Sequence, residues 1–201
     1  MRLTSPLLAL AVLWLSFSSA AAEKLPLGEI SDYLNSLTTV QTSFLQTNDD
    51  GSESTGRLYI KRPGRLRLEY DPPVPVLVLA SAHTLAIFDD KSNEPPQTYP
   101  LGQTPLSLIL QETVDLERTA LITGHTQEGT TTRVILQDRA NPEHGSLHLW
   151  FAHDPIALRE WVVVNPAAER TRLVFGALRR PGALPDDLFS IYLESSRRAT
   201  R

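Results

Sequence analysis

Three histidines fall close together in the chain, His144, His148 and His153, with Glu143 beside the first. Imidazoles and a carboxylate at such density are the raw material of a metal site. In H-E-x-x-H the carboxylate lies between the two imidazoles on one helical face; here it precedes them. Ser146 to Phe151 reads as a strand, which leaves His144 in the turn before it and His153 in the turn after. Such residues need not converge, so scattered surface histidines and no metal are the expectation. Hydroxyl residues are plentiful, yet no G-x-S-x-G elbow presents a nucleophile, and no Gly-rich strand-to-helix loop cradles phosphate. Asp49, Asp50, Asp89, Asp90, Asp186 and Asp187 sit in turns, where solvation accounts for them; an EF-hand needs a denser ligand loop. With no cysteine there is no thiol nucleophile, thiolate metal site or disulfide. The chain is expected to be no enzyme and to need no cofactor.

The basic residues Arg57, Lys61, Arg62, Arg65 and Arg67 resemble an anion patch until strand parity divides them. In an alternating strand Arg57, Tyr59 and Lys61 share one face, and Leu58, Ile60 and Arg62 share the other. In the following strand Leu66, Leu68 and Tyr70 oppose Arg65, Arg67 and Glu69. Four of the five bases therefore line a wet face. Arg62 ends the apolar face, where a guanidinium must find acceptors; alternatively the strand stops at Lys61 and Arg62 points to solvent. The net charge of −4 is too modest for a nucleic-acid partner.

The elements that would carry these residues are mostly strands. Leu27, Ile30, Leu34 and Leu37 mark one apolar stripe on a helix of about ten residues. Strands are then expected at 40–47, 57–62, 65–70, 76–80, 84–88 and 98–99. Thr104 as N-cap and Pro105 at the first position open a second helix, apolar on every side through Leu106 to Leu110. Further strands follow at 121–126, 132–137, 146–151, 157–164 and 170–177. About eleven strands with short connections imply one antiparallel sheet, and a sheet that size has to curl. Ahead of all this, Arg2, an apolar run from Pro6 to Phe17 and the small residues Ser18 to Ala22 make a secretory leader cut before Glu23. That run is about a dozen residues, short of the roughly 20 that span a bilayer. Residues 1–22 are thus expected to be removed and 23–201 to form one domain. No cysteine follows the leader to be acylated.

The stretch Gly56-Arg57-Leu58-Tyr59-Ile60-Lys61-Arg62-Pro63, continuing to Leu66-Arg67-Leu68-Glu69-Tyr70, resembles the signature of the LolA family of periplasmic lipoprotein carriers. The likeness extends upstream through the helix and the strand with Phe44 and Gln46. Downstream it includes Leu77-Val78, Leu85 to Phe88, Thr104-Pro105-Leu106 and Leu184 to Phe189. Two places depart from it: the tip Ser81-Ala82-His83 lacks the family's Asp-Gly, and no Pro-x-Gly ending follows Phe189.

The resemblance implies a mainly β (α+β) fold, an unclosed antiparallel β-barrel with a short helical lid over a cavity for lipoprotein acyl chains. It also implies an exported, unlipidated periplasmic monomer. Such a carrier is loaded by an inner-membrane lipoprotein-releasing ABC transporter and unloaded at an outer-membrane receptor, where one exists. Arg62 matches the family's lid-latching arginine, which favours the inward reading. Parity and helix spacing select the cavity lining: Phe44, Leu58, Ile60, Leu66, Leu68, Tyr70 and Phe88 from the sheet, with Leu106, Ile109 and Leu110 from the lid. A LolA-like carrier of another lipid or glycolipid, or a lipoprotein-sensing module, is the alternative reading.

Overall fold

The computed structural model describes residues 23–92 and 94–200. The leader expected at 1–22 lies outside them. Eleven strands form one antiparallel sheet: β1 Thr39–Asn48, β2 Glu53–Lys61, β3 Arg65–Tyr70, β4 Val76–Ser81, β5 Thr84–Asp89, β6 Gln97–Pro100, β7 Ala120–Glu128, β8 Thr131–Asp138, β9 Ser146–Ala152, β10 Ala157–Val164 and β11 Arg170–Phe175. The order is β6-β5-β4-β3-β2-β1-β11-β10-β9-β8-β7. Two meanders of consecutive strands are therefore sewn together by the first and last, with Phe44 opposite Phe175 at the seam. β6 and β7 are the free edges, and the crossover 101–119 runs between them.

Alternation along the strands sorts side chains onto two faces. The concave face carries the main core, including Phe44, Leu58, Leu66, Leu136, Phe151 and Trp161. Two covers close it: α1, Leu27–Ser36, whose Ile30 and Leu34 point inward, and the crossover with its single turn α2, Ser107–Leu110. α2 is shorter than the Thr-Pro signal suggests. Thr104 does not cap it; its hydroxyl donates instead to Leu101 O at 2.8 Å. A turn through Pro105 and Leu106 precedes the helix proper.

The convex face corrects two expectations. Phe88 pairs with Leu77 and lies with Leu77, Leu79 and Ala86 in a separate cluster under Ile191, outside the cavity. Leu85, Ala86, Ile87 and Phe88 are all apolar, so parity had no contrast to read there. The bases of β2 and β3 are also not all solvated. A closing segment runs through Leu184 and Phe189 into α3, Ile191–Ala199, and straps this face. Lys61 Nζ donates to Leu184 O at 2.7 Å and to Asp186 Oδ1 at 2.6 Å, and Arg65 reaches the same carboxylate at 2.5 Å. Arg67 bonds Glu69 at 2.6 Å and Leu188 O at 3.0 Å. Arg57 alone of the four remains exposed. α3 starts on Ser190, whose hydroxyl accepts from Leu193 N, and its Glu194 pairs with Arg198 one turn on, at 2.9 Å.

At the β4–β5 tip, Ala82 and His83 take φ of +48° and +64°. That turn geometry favours Asn-Gly or Asp-Gly, and this chain forms it without either.

Candidate functional site

β2 ends at Lys61, and one residue further the Arg62 backbone N–H donates to Thr38 O at 2.9 Å. Its side chain turns to the covered side of the sheet. Nε donates to Gln111 O at 2.9 Å, and Nη2 to Gln111 O at 2.7 Å, to Asn35 Oδ1 at 3.1 Å and to Glu112 O at 3.2 Å. Nη1 donates to Leu34 O. Leu34 lies in the last turn of α1, and Gln111 and Glu112 follow the end of α2. Helix ends leave carbonyls without intrahelical donors and carry partial negative charge. One cation therefore gathers the ends of both covers. Burial pulls the Arg62 pKa below its ordinary value, but a guanidinium remains charged.

A second group of contacts binds the covers to each other. Asn35 Nδ2 donates to Val114 O and Asn35 Oδ1 accepts from Val114 N, both at 2.8 Å. One turn earlier, the Ser31 hydroxyl accepts from Leu116 N at 3.1 Å. Gly64 N donates to Leu110 O at 2.7 Å, tying the β2–β3 hairpin directly to α2; Gly64 sits at φ +69°, which suits glycine. Sequence reasoning passed over Ser31 and Asn35. Their spacing, i and i+4 beside the apolar stripe, was the available signal.

Most of the expected lining is assembled. Phe44, Leu58, Ile60, Leu66 and Leu68 come from β1–β3, and Leu106, Ile109 and Leu110 meet them from the crossover in one buried cluster. Tyr70 packs on its margin. Phe88 is the exception. Gly56 explains the aromatic corner. It lies between Phe44 and Tyr70 in the cross-strand row, and a Cβ there would stand 2.7 Å from Phe44 Cζ. Without one, Phe44 and Tyr70 meet edge to face, their centroids 5.3 Å apart.

Polar atoms on this wall are few. Tyr70 Oη donates to Gln46 Oε1 at 2.6 Å, Gln46 Nε2 to Asn48 Oδ1 at 2.8 Å, and Asn48 Nδ2 to Ser52 Oγ at 2.9 Å. Burial pushes the Tyr70 phenol up to about 12, with the Gln46 bond opposing. The histidines stay apart in role. His148 Nε2 faces Ser146 Oγ at 3.1 Å and His153 Nε2 faces Thr132 Oγ1 at 2.9 Å. Among the described residues no three metal-ligating side chains are grouped to hold an ion.

Comparisons with known proteins give this chain a family. The family model described as "Outer membrane lipoprotein carrier protein LolA" matches residues 35–192. The chain belongs to the LolA family. Among curated relatives, an outer-membrane lipoprotein carrier protein of Coxiella burnetii is 28% identical over 171 residues, covering 80% of each chain. One of Chromobacterium violaceum is 24% identical over 179 residues, covering 86% of this chain and 85% of the relative. Among solved structures, a LolA superfamily protein of Nitrosomonas europaea aligns over 83% of this chain and 98% of its own, at 10% identity and a TM-score of 0.46. Within the LolA family signature, Lys61 and Arg62 are adjacent yet serve opposite faces, the strap outside and the covers inside.

Proposed function

We propose that this protein carries lipoproteins across the periplasm, holding their acyl chains on the concave face of the sheet and closing over that face when empty. The observation that carries the reading is Arg62, whose single guanidinium binds carbonyls at the ends of both covers above an apolar wall. The membership in a family described as lipoprotein carriers agrees with it. No helix among the described residues is long and apolar enough to cross a membrane, and the leader-like residues 1–22 supply the export signal.

The physical need is large. Burying a methylene is worth about 0.8 kcal/mol, so a cargo with roughly 40 methylenes would cost on the order of 30 kcal/mol to enter water bare. A carrier must recover most of that and still let go. Broad contact with a smooth apolar wall provides the recovery. A self-closing cover provides the release, because the closed state competes with cargo for the same surface. The work is binding and not bond making. An inner-membrane ABC transporter would load the carrier, and an outer-membrane receptor or the outer membrane itself would unload it.

The test uses inner-membrane vesicles bearing the transporter and a labelled lipoprotein, with ATP and the purified mature protein. The lipoprotein is expected in the supernatant, co-migrating with the carrier. Lipoprotein that stays in the pellet, at every carrier concentration, overturns the reading. N-terminal sequencing of the periplasmic form should begin at or within a few residues of Glu23; an intact leader in the membrane pellet would refute export of a free protein.

A further inference from the structure

The concave wall is mostly apolar; apart from Thr42 and Thr132, one connected line of polar side chains crosses it. From Tyr70 through Gln46 and Asn48 to Ser52, each side chain donates to the next, and the line ends in the exposed β1–β2 turn. It leads from the interior to the rim opposite the Arg62 hairpin, since Asn48 and Lys61 lie at opposite ends of the β1–β2 ladder. This network sets the orientation of the Gln46 amide: its oxygen is held by the phenol and one amide hydrogen by Asn48. Asn48 Oδ1 is the one acceptor the Gln46 amide nitrogen finds among the described residues, so one of its two hydrogens stays available, on a residue 8% exposed. An amide on an apolar wall that leaves a donor unused forgoes part of its hydrogen-bonding capacity. Leucine at this position would serve an indifferent hydrocarbon wall better.

Gln46 shares the inward face of β1 with Phe44, Thr42 and Val40. From Gln46 to Val40 the strand rises about 20 Å at roughly 3.3 Å per residue, a span comparable to a long acyl chain. An acyl tail lying on Phe44 and the rows beyond it would place its first carbon beside Gln46 and its head group at the Asn48–Ser52 rim. The atom arriving at Gln46 would then be a carbonyl oxygen, the acceptor joining tail to head.

We propose that Gln46, oriented by Tyr70 and Asn48, is a specificity-determining residue that donates to the ester or amide carbonyl of a bound acyl chain. The protein would thus select acyl groups over plain alkyl chains. This rests on the carrier reading above and adds a chemical class to it. In the empty protein the idle donor is tolerated because Tyr70 and Asn48 satisfy the rest of the amide. In the loaded protein it gains the partner it lacks.

The experiment compares two probes carrying the same fluorophore: a dipalmitoyl glyceride and its dihexadecyl ether counterpart, which lacks only the two carbonyls. Each is titrated into the full mature protein, and into Gln46→Met and Tyr70→Phe. The wild type is expected to prefer the ester by about fivefold, the size of one hydrogen bond. In Gln46→Met, close to isosteric and without a donor, the preference should vanish while the ether binds as well or better. Tyr70→Phe frees the amide to turn and should at least halve the preference, which keeps the assignment testable should Gln46→Met not fold. A wild type that binds both probes alike, or a Gln46→Met protein that keeps the fivefold preference, overturns the proposal and leaves the carrier reading standing. A wild type that binds neither probe overturns both.

Discussion

Arg62→Leu removes five hydrogen bonds to four acceptors, three of them backbone carbonyls. A buried charge-assisted bond is worth about 1.5–3 kcal/mol. Arg62 is only partly buried, two of its bonds share Gln111 O, and solvent screens the rest. The whole latch is therefore worth about 2–4 kcal/mol, and its loss raises the open-to-closed ratio roughly 30- to 700-fold. The amides of Gly64 and Val114 report on the two sides of the cover, since Gly64 N bonds Leu110 O and Val114 N bonds Asn35 Oδ1. Hydrogen exchange at both should accelerate by a comparable factor. Cargo no longer competes with the latch, so Arg62→Leu is expected to load readily, accumulate with bound lipoprotein and deliver it slowly to acceptor membranes. Expressed beside the wild type it should be dominant, because it sequesters cargo. Arg62→Lys keeps the charge without the planar fork and should restore delivery in part. Wild-type exchange at both amides together with normal delivery by Arg62→Leu would refute the latch.

Asn35 tests the same equilibrium from the side of the covers. Asn35→Ala removes both bonds to Val114 and one acceptor of Arg62, so uptake of an apolar probe should strengthen about tenfold, equivalent to about 1.4 kcal/mol; unchanged or weaker uptake would count against the clasp. Leu68→Glu places a carboxylate on the inward face at a residue 6% exposed; it should abolish probe uptake, and a folded variant that binds normally would show the face to be misassigned. Gly56→Ala puts a Cβ 2.1 Å from Glu69 O and 2.7 Å from Phe44 Cζ, for an expected loss of about 2–3 kcal/mol in urea unfolding. Lys61 first, then Arg65, holds the Asp186 carboxyl below its ordinary 3.8. That contribution is present above pH 3.8 and is lost as pH falls through the lower folded value. Proteolytic cleavage before α3 should accelerate on acidification below about pH 4, and Asp186→Asn should show the same susceptibility at neutral pH.

Strands whose faces differ in polarity were legible. β2 and β3 alternate strictly, and their parity placed Leu58, Ile60, Leu66 and Leu68 inward and posed the question that Arg62 answers. β5 was not, because both of its faces are apolar and only α3 explains why. α3 itself was absent from the expected elements, and its helix depends on Ser190 at the cap and on Glu194 gathering Arg197 and Arg198. The bases of β2 and β3 read as solvated, since their partners lie about 120 residues away, beyond any local pattern. At the site, Arg62 was singled out by its family signature and its parity, and its side chain does turn to the covered side. Its partners were not, because four of the five bonds go to backbone oxygens, which every sequence possesses.

The crossover 101–119 does more than cover the wall. It is the covalent link between the two meanders, which otherwise meet through hydrogen bonds at the β1–β11 seam, and it joins β6 to β7, the two margins of the sheet. It acts as a drawstring: the gape of the sheet and the height of the cover become a single coordinate. On the carrier reading, release of residues 111–116 by Arg62 and Asn35 would put slack in the string and let the margins part for bulkier cargo. Re-engagement would draw the margins in and press the guest towards the rim. A shortened crossover is then expected to narrow the range of guests without altering the wall that holds them.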